Sequence, residues 1–231
     1  MKKVLFIGNS HTYMNDMPEI FRQMMENATG ESCEVFMLAY SARSLKWHME
    51  EEYFSERFNI LHGGYDYCVI QEQAHPMTSF EDTEKYAARI IELCKKVGTK
   101  PVIFETWAEK LHPENQPEMN RRYHKIAEDN DVLLAPVGEI WEKTLAELEG
   151  DADLYFTDGA HASAVGDYLI AMTLVKTITG KLPDDSFVKS FDFTIPGDNW
   201  QPVKEDISDE EVQMDDEVVN IIRRKLNMTM R

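Results

Sequence analysis

V-L-F-I-G-N-S-H-T, at positions 4–12, is the stretch whose reading decides the fold. Val4, Leu5, Phe6 and Ile7 run on without alternating polar residues, so both faces of the strand they form are covered, as in a parallel sheet between helices. Gly8 and Asn9 end the run in a tight turn. Ser10 therefore falls just past the carboxyl end of the first strand, the edge at which open α/β sheets bind ligands. A serine on a sharp strand-to-helix turn holds its hydroxyl away from the backbone, as a nucleophile needs. The same position also suits a serine that only caps the next helix.

Outward from this strand, helical and strand signals alternate. Met17, Ile20, Phe21, Met24 and Met25 share one side of a helix over 17–28, stopped by Gly30. Strands follow at 34–39, 66–71, 101–104 and 132–135. Between them, helices are predicted over 45–58, with Leu45, Met49, Tyr53 and Phe54 on one side, and over 83–97 and 117–130. Two more helices, over 137–148 and from 164 to Gly180, follow the last strand. Five short apolar strands separated by helices predict a three-layer α/β/α sandwich around a five-stranded parallel, flavodoxin-like sheet of order 2-1-3-4-5. Ser10 would stand at its switch point.

The 231 residues are 43% hydrophobic, enough for one substantial core, and the whole chain 1–231 reads as one domain. Residues 182–231 read as an appendage packed on it. Within it, Phe191, Phe193, Ile195, Pro196, Trp200 and Pro202 suggest an extended aromatic segment. A capping-box pattern at 208–211 opens a last helix, whose Val212, Val218, Val219, Ile222 and Leu226 form a core or homo-oligomer contact. A net charge of −18 repels phosphates, which argues against nucleic acid and anionic membranes as partners. Cys33, Cys68 and Cys94 are far apart and read as buried free thiols. The first strand starts at once and is too short for a secretory signal, so the expected location is cytoplasmic.

The chemistry needs a second stretch, T-D-G-A-H-A-S-A-V-G at 157–166. An aspartate and a histidine three apart, at a loop and first helical turn, let the carboxylate orient one imidazole nitrogen and leave the other free. That pairing supplies a base for the exposed serine.

Together, G-N-S-H-T near the start and D-G-A-H near the end resemble the first and last blocks of the SGNH, or GDSL-like, hydrolase superfamily of α/β esterases and lipases. The resemblance spans residues 4 to about 180. It implies Ser10 as nucleophile, His161 as general base and Asp158 as its orienting partner, with no cofactor. It also implies an oxyanion hole from the Ser10 and Ala42 N–H groups and the Gln73 amide. Alanine and glutamine there replace the family's glycine and asparagine. The implied activity is hydrolysis of short acyl esters, such as O-acetyl groups on a small molecule or carbohydrate, through an acyl-serine. Two alternatives stand beside it: a non-catalytic carbohydrate- or ligand-binding relative, and a metal-assisted hydrolase using His11, Asp158 and His161.

Four further residues are candidates for the pocket. His11 either lines the site or bonds a neighbouring loop, and Arg43 and Glu72 either contact substrate or pair with each other. Trp107 either stacks on a sugar or acyl group or packs in its own loop. The remaining histidines, His48, His62, His75, His112 and His124, share no ligand spacing, so no metal site is expected. No phosphate-binding glycine motif is present, so no nucleotide is expected.

Overall fold

The computed structural model of the protein describes residues 1–75, 77–149, 153–184, 190–192 and 211–230. Five parallel strands, β1 (Lys2–Gly8), β2 (Cys33–Ala39), β3 (Tyr67–Gln71), β4 (Lys100–Phe104) and β5 (Leu133–Ala135), form one sheet in the order β2-β1-β3-β4-β5. The expected flavodoxin-like topology is therefore the one observed, with the direction of winding reversing beside β1.

The period-two geometry of these strands divides the core. Val4, Phe6, Val69, Val102 and Phe104 enter one apolar cluster, while Leu5, Ile7, Cys68, Ile70 and Ile103 enter the other. Helices α2 (Met17–Thr29), α7 (Val137–Leu145), α8 (Ala164–Thr179) and α9 (Asp216–Thr229) pack on the first face. Helices α3 (Leu45–Glu50), α5 (Phe80–Lys96) and α6 (Gln116–Asn130) pack on the second, with Ile60 of α4 (Ser55–His62) among them. Cys33, Cys68 and Cys94 are buried free thiols. Among the described residues, no helix is long and apolar enough to cross a membrane.

Two expected elements differ. The helix expected over 45–58 is broken into α3 and α4, because Phe54 takes a left-handed φ of 57°. The Glu51 carboxylate accepts the Tyr53 N–H at 2.6 Å and also the Ser55 N–H, which caps a new helix instead of continuing the old one. Tyr53 and Phe54 consequently face solvent. The last helix does not open at a capping box over 208–211. Glu211 instead lies in β7 (Glu211–Gln213), antiparallel to β6 (Ser190–Asp192). The cap of α9 is Asp215, whose carboxylate accepts the Glu217 N–H at 2.8 Å. The stripe of Val218, Val219, Ile222 and Leu226 is buried in the chain's own core. Phe193, Ile195, Pro196, Trp200, Pro202 and Ser208, and the side chains of Phe191 and Val212, lie outside the described residues.

Candidate active site

The turn after β1 is assembled from four directions. Asn9, not Ser10, is the cap of α1 (Ser10–Tyr13), with its Oδ1 accepting the His11 N–H at 3.1 Å. From β3, the Gln71 Oε1 accepts both the Asn9 N–H and the Thr12 hydroxyl at 2.9 Å. His48 on α3 approaches the Gly8 carbonyl through Nε2 at 2.8 Å, and its Nδ1 meets the buried Glu56 carboxylate at 2.6 Å. Asn9 Nδ2 donates to the Arg43 carbonyl at 3.1 Å, which ties in the loop after β2. Relieved of capping, Ser10 turns its Oγ to His161 Nε2 at 2.8 Å.

His161 arrives on a loop between α7 and α8. Asp158 Oδ2 meets His161 Nδ1 at 2.6 Å, while Asp158 Oδ1 accepts the Ala160 and His161 N–H groups, both at 2.9 Å. Burial alone would raise this carboxyl, but those hydrogen bonds outweigh it and hold it below the usual aspartate range. The loop is also held from outside. Trp107 Nε1 donates to the Ala160 carbonyl at 2.9 Å, and Lys110 N–H to the Gly159 carbonyl at 2.9 Å. Asn15 donates to the Ala162 carbonyl at 3.1 Å and to Asp167 at 2.6 Å. Ser10, His161 and Asp158, 151 and three residues apart in sequence, thus form one continuous chain of hydrogen bonds.

The candidate oxyanion donors lie on the two loops that flank the turn. Ala42 adopts a left-handed φ of 56°, the conformation that glycine accommodates most easily, and it is exposed. Gln73 is half-buried, and its N–H donates to Glu72 Oε1 at 2.7 Å.

The four pocket candidates separate sharply. His11 does line the site: its ring lies 4.6 Å from His161 and 5.0 Å from His75, centre to centre, and its buried Nε2 has no hydrogen-bond partner. Burial, reinforced by His161 and His75, pushes its imidazole well below the usual histidine range, so it is neutral at pH 7. Glu72 does not pair with Arg43. It is 1% exposed, and its Oε1 accepts the Leu45 and Gln73 N–H groups, which bolts the two flanking loops together. Arg43 is exposed and stacks over Trp47 at 5.0 Å. Trp107 is fully buried, stacked on Trp141 at 4.2 Å, and supports the Ala160 loop through its Nε1. Sequence reasoning missed Gln71, His48 and Glu56. Asn9 had a detectable signal, an amide before a helix start, whereas the buried His48–Glu56 pair had none.

No protein-family model and no curated protein matches the sequence. Solved structures do match it. A protein from Slackia heliotrinireducens assigned to the SGNH hydrolases is 27% identical and superposes with a TM-score of 0.66, over 77% of this chain and 98% of that one. A DUF4886 family protein from Bacteroides uniformis is 14% identical with a TM-score of 0.70, over 99% of this chain and 94% of that one. An acetylxylan esterase from Geobacillus stearothermophilus is 14% identical with a TM-score of 0.60, over 77% and 94%.

Two predictions test how this site is built. A Cβ on Gly8 would lie 2.4 Å from Thr12 Oγ1 and 2.5 Å from Gln71 Oε1. Gly8→Ala should therefore destabilise the protein by about 1–3 kcal/mol, read as a lowered urea midpoint. Burial pushes the Asp167 carboxyl well above the usual range, opposed only by Asn15. Because its folded-state pKa is raised, the protonated acid favours folding at low pH and that contribution is lost as pH rises. Asp167→Asn removes the loss, so its Tm advantage over the parent should grow by about 3 °C or more between pH 4 and pH 8. A constant difference in thermal melts would contradict this.

Proposed function

The chain is an SGNH/GDSL-like hydrolase by fold, and on that premise we propose that it is a serine esterase releasing short acyl groups, O-acetyl among them, from a small-molecule or carbohydrate alcohol. The observation that carries this reading is the unbroken Asp158–His161–Ser10 hydrogen-bond chain at the carboxyl edge of β1. Asp158 accepts from Nδ1, so the free lone pair of His161 is on Nε2, facing Ser10. That nitrogen takes the Ser10 proton as Oγ attacks the ester carbonyl. The tetrahedral oxyanion is held by the Ser10 and Ala42 N–H groups and the Gln73 amide. His161 then protonates the leaving alcohol, and water activated by the same nitrogen releases the acid from acyl-Ser10.

His11, neutral and buried against His161, is suited to exclude water from the base without competing for its proton. Arg43, Trp47 and Tyr40 supply a partly exposed aromatic and cationic rim beside Ala42, with the Tyr40 and Trp47 rings 5.3 Å apart. This rim takes the sugar-facing role that the sequence had offered to Trp107. The acetylxylan esterase among the structural neighbours is consistent with such a substrate.

A fluorophosphonate probe should add one adduct, mapped to Ser10 by peptide mass spectrometry, and Ser10→Ala should abolish both labelling and p-nitrophenyl acetate hydrolysis. A well-folded parent that neither labels nor turns over would be the non-catalytic binding relative instead. Gln73→Ala should lower kcat by about a hundredfold with little change in KM. An unchanged kcat would remove Gln73 from the oxyanion site.

A further inference from the structure

Glu105 is the residue that follows β4, and nothing in the proposed ester chemistry uses it. It is 0% exposed, and its Oε2 has no hydrogen-bond partner. Its Oε1 faces Asn120, whose amide, oriented to donate, reaches it at 2.6 Å. Beside it, His124 Nε2 of α6 meets Glu139 Oε1 of α7 at 2.6 Å. One ligand atom from each of Glu105, His124 and Glu139 lies within 4.8 Å of the others, the one such grouping among the described residues. A buried carboxylate with one oxygen unpartnered, beside a second carboxylate and an imidazole, is costly as it stands, and a cation between them would remove that cost.

We propose that Glu105, His124 and Glu139 bind a zinc-type dication that ties the end of β4 to α6 and α7. One imidazole and two carboxylates form a mixed nitrogen and oxygen donor set, which favours Zn²⁺ over the all-oxygen sites preferred by Mg²⁺ and Ca²⁺. Ligand atoms at about 2.1 Å from a tetrahedral ion sit about 3.4 Å apart, so side-chain rotations suffice to close the site. The ion replaces the contact between His124 and Glu139 and displaces Lys143, whose Nζ is 3.3 Å from Glu139 Oε2. Access is from solvent: His124 and Glu139 are partly exposed and line a surface cleft with Glu128, Pro136 and Thr229. Burial and the neighbouring Glu139 charge push the Glu105 carboxyl well above its usual range, which agrees with a group lacking a counterion.

The site is separate from Ser10. Glu139 and Trp141 are two residues apart on α7, about 200° around the helix, so they face opposite sides. Trp141 packs on Trp107 and Tyr155, under the His161 loop, while Glu139 meets α6. The ion is therefore structural.

The test is calorimetric titration of Zn²⁺ into the chelator-treated, desalted full-length protein, followed by thermal melts with and without the ion. The expected result is one saturable site with a Kd in the micromolar range or tighter. Tm should rise by several degrees at a hundredfold excess over Kd, with no comparable response to Mg²⁺. Glu105→Gln and His124→Asn should each weaken binding at least tenfold while p-nitrophenyl acetate hydrolysis persists. His124 is half-exposed and tolerates exchange, so it decides alone if the Glu105 variant does not fold. Absence of saturable binding overturns the proposal, as does binding within threefold of the parent in His124→Asn, which would put the ion elsewhere, for example on His11, His75 and His161.

Discussion

One amide oxygen, Oε1 of Gln71, carries the local architecture on which the rest of the site depends. It projects from the neighbouring strand beneath the turn after β1 and accepts hydrogen bonds from the Asn9 backbone and the Thr12 hydroxyl. Gly8 has no side chain because that oxygen occupies the space a Cβ would need. With the backbone held there and Asn9 performing the cap, the Ser10 hydroxyl is left to face the loop that carries His161. Buried polar groups of this kind are stabilising only when fully paired, so the turn is specified by several partners at once rather than by one strong contact.

The same logic of shared acceptors joins the flanking loops. Glu72 takes the N–H groups of both Leu45 and Gln73, and Asn9 reaches the Arg43 carbonyl. The loops after β1, β2 and β3 are therefore tied to one another. The loop with Asp158 and His161 is held by Trp107 and Lys110, both from the segment after β4, and by Asn15, from the segment after α1. The two braced halves meet in the 2.8 Å contact between Ser10 and His161. Preorganisation of this kind is what a transition state with developing charge requires.

Left-handed backbone at Ala42, as at Phe54, is a place where composition and geometry pull against each other. Alanine pays a steric cost there that glycine would not, yet the turn retains the conformation because Arg43 N–H bonds back to the Tyr40 carbonyl and Arg43 O is held by Asn9. Strain of this kind is sustained by the surrounding bonds.

The sequence by itself determined the sheet, its order and the two ends of the reactive chain, because these are written in local patterns: a continuous apolar run ending at Gly8, and an aspartate three residues before a histidine. It also read the three cysteines as buried free thiols, with Cys68 and Cys94 in apolar elements. Only the tertiary structure decided the rest. Trp107 and Glu72 turned inward, the helix over 45–58 broke at Phe54, and the last helix took its cap from Asp215. It likewise brought together His48 with Glu56, and Glu105 with His124 and Glu139, from separate elements. The reason is physical. Periodicity reports which face of an element is apolar, but which polar atom meets which is set by how elements from distant parts of the chain pack, and no spacing along the sequence encodes that.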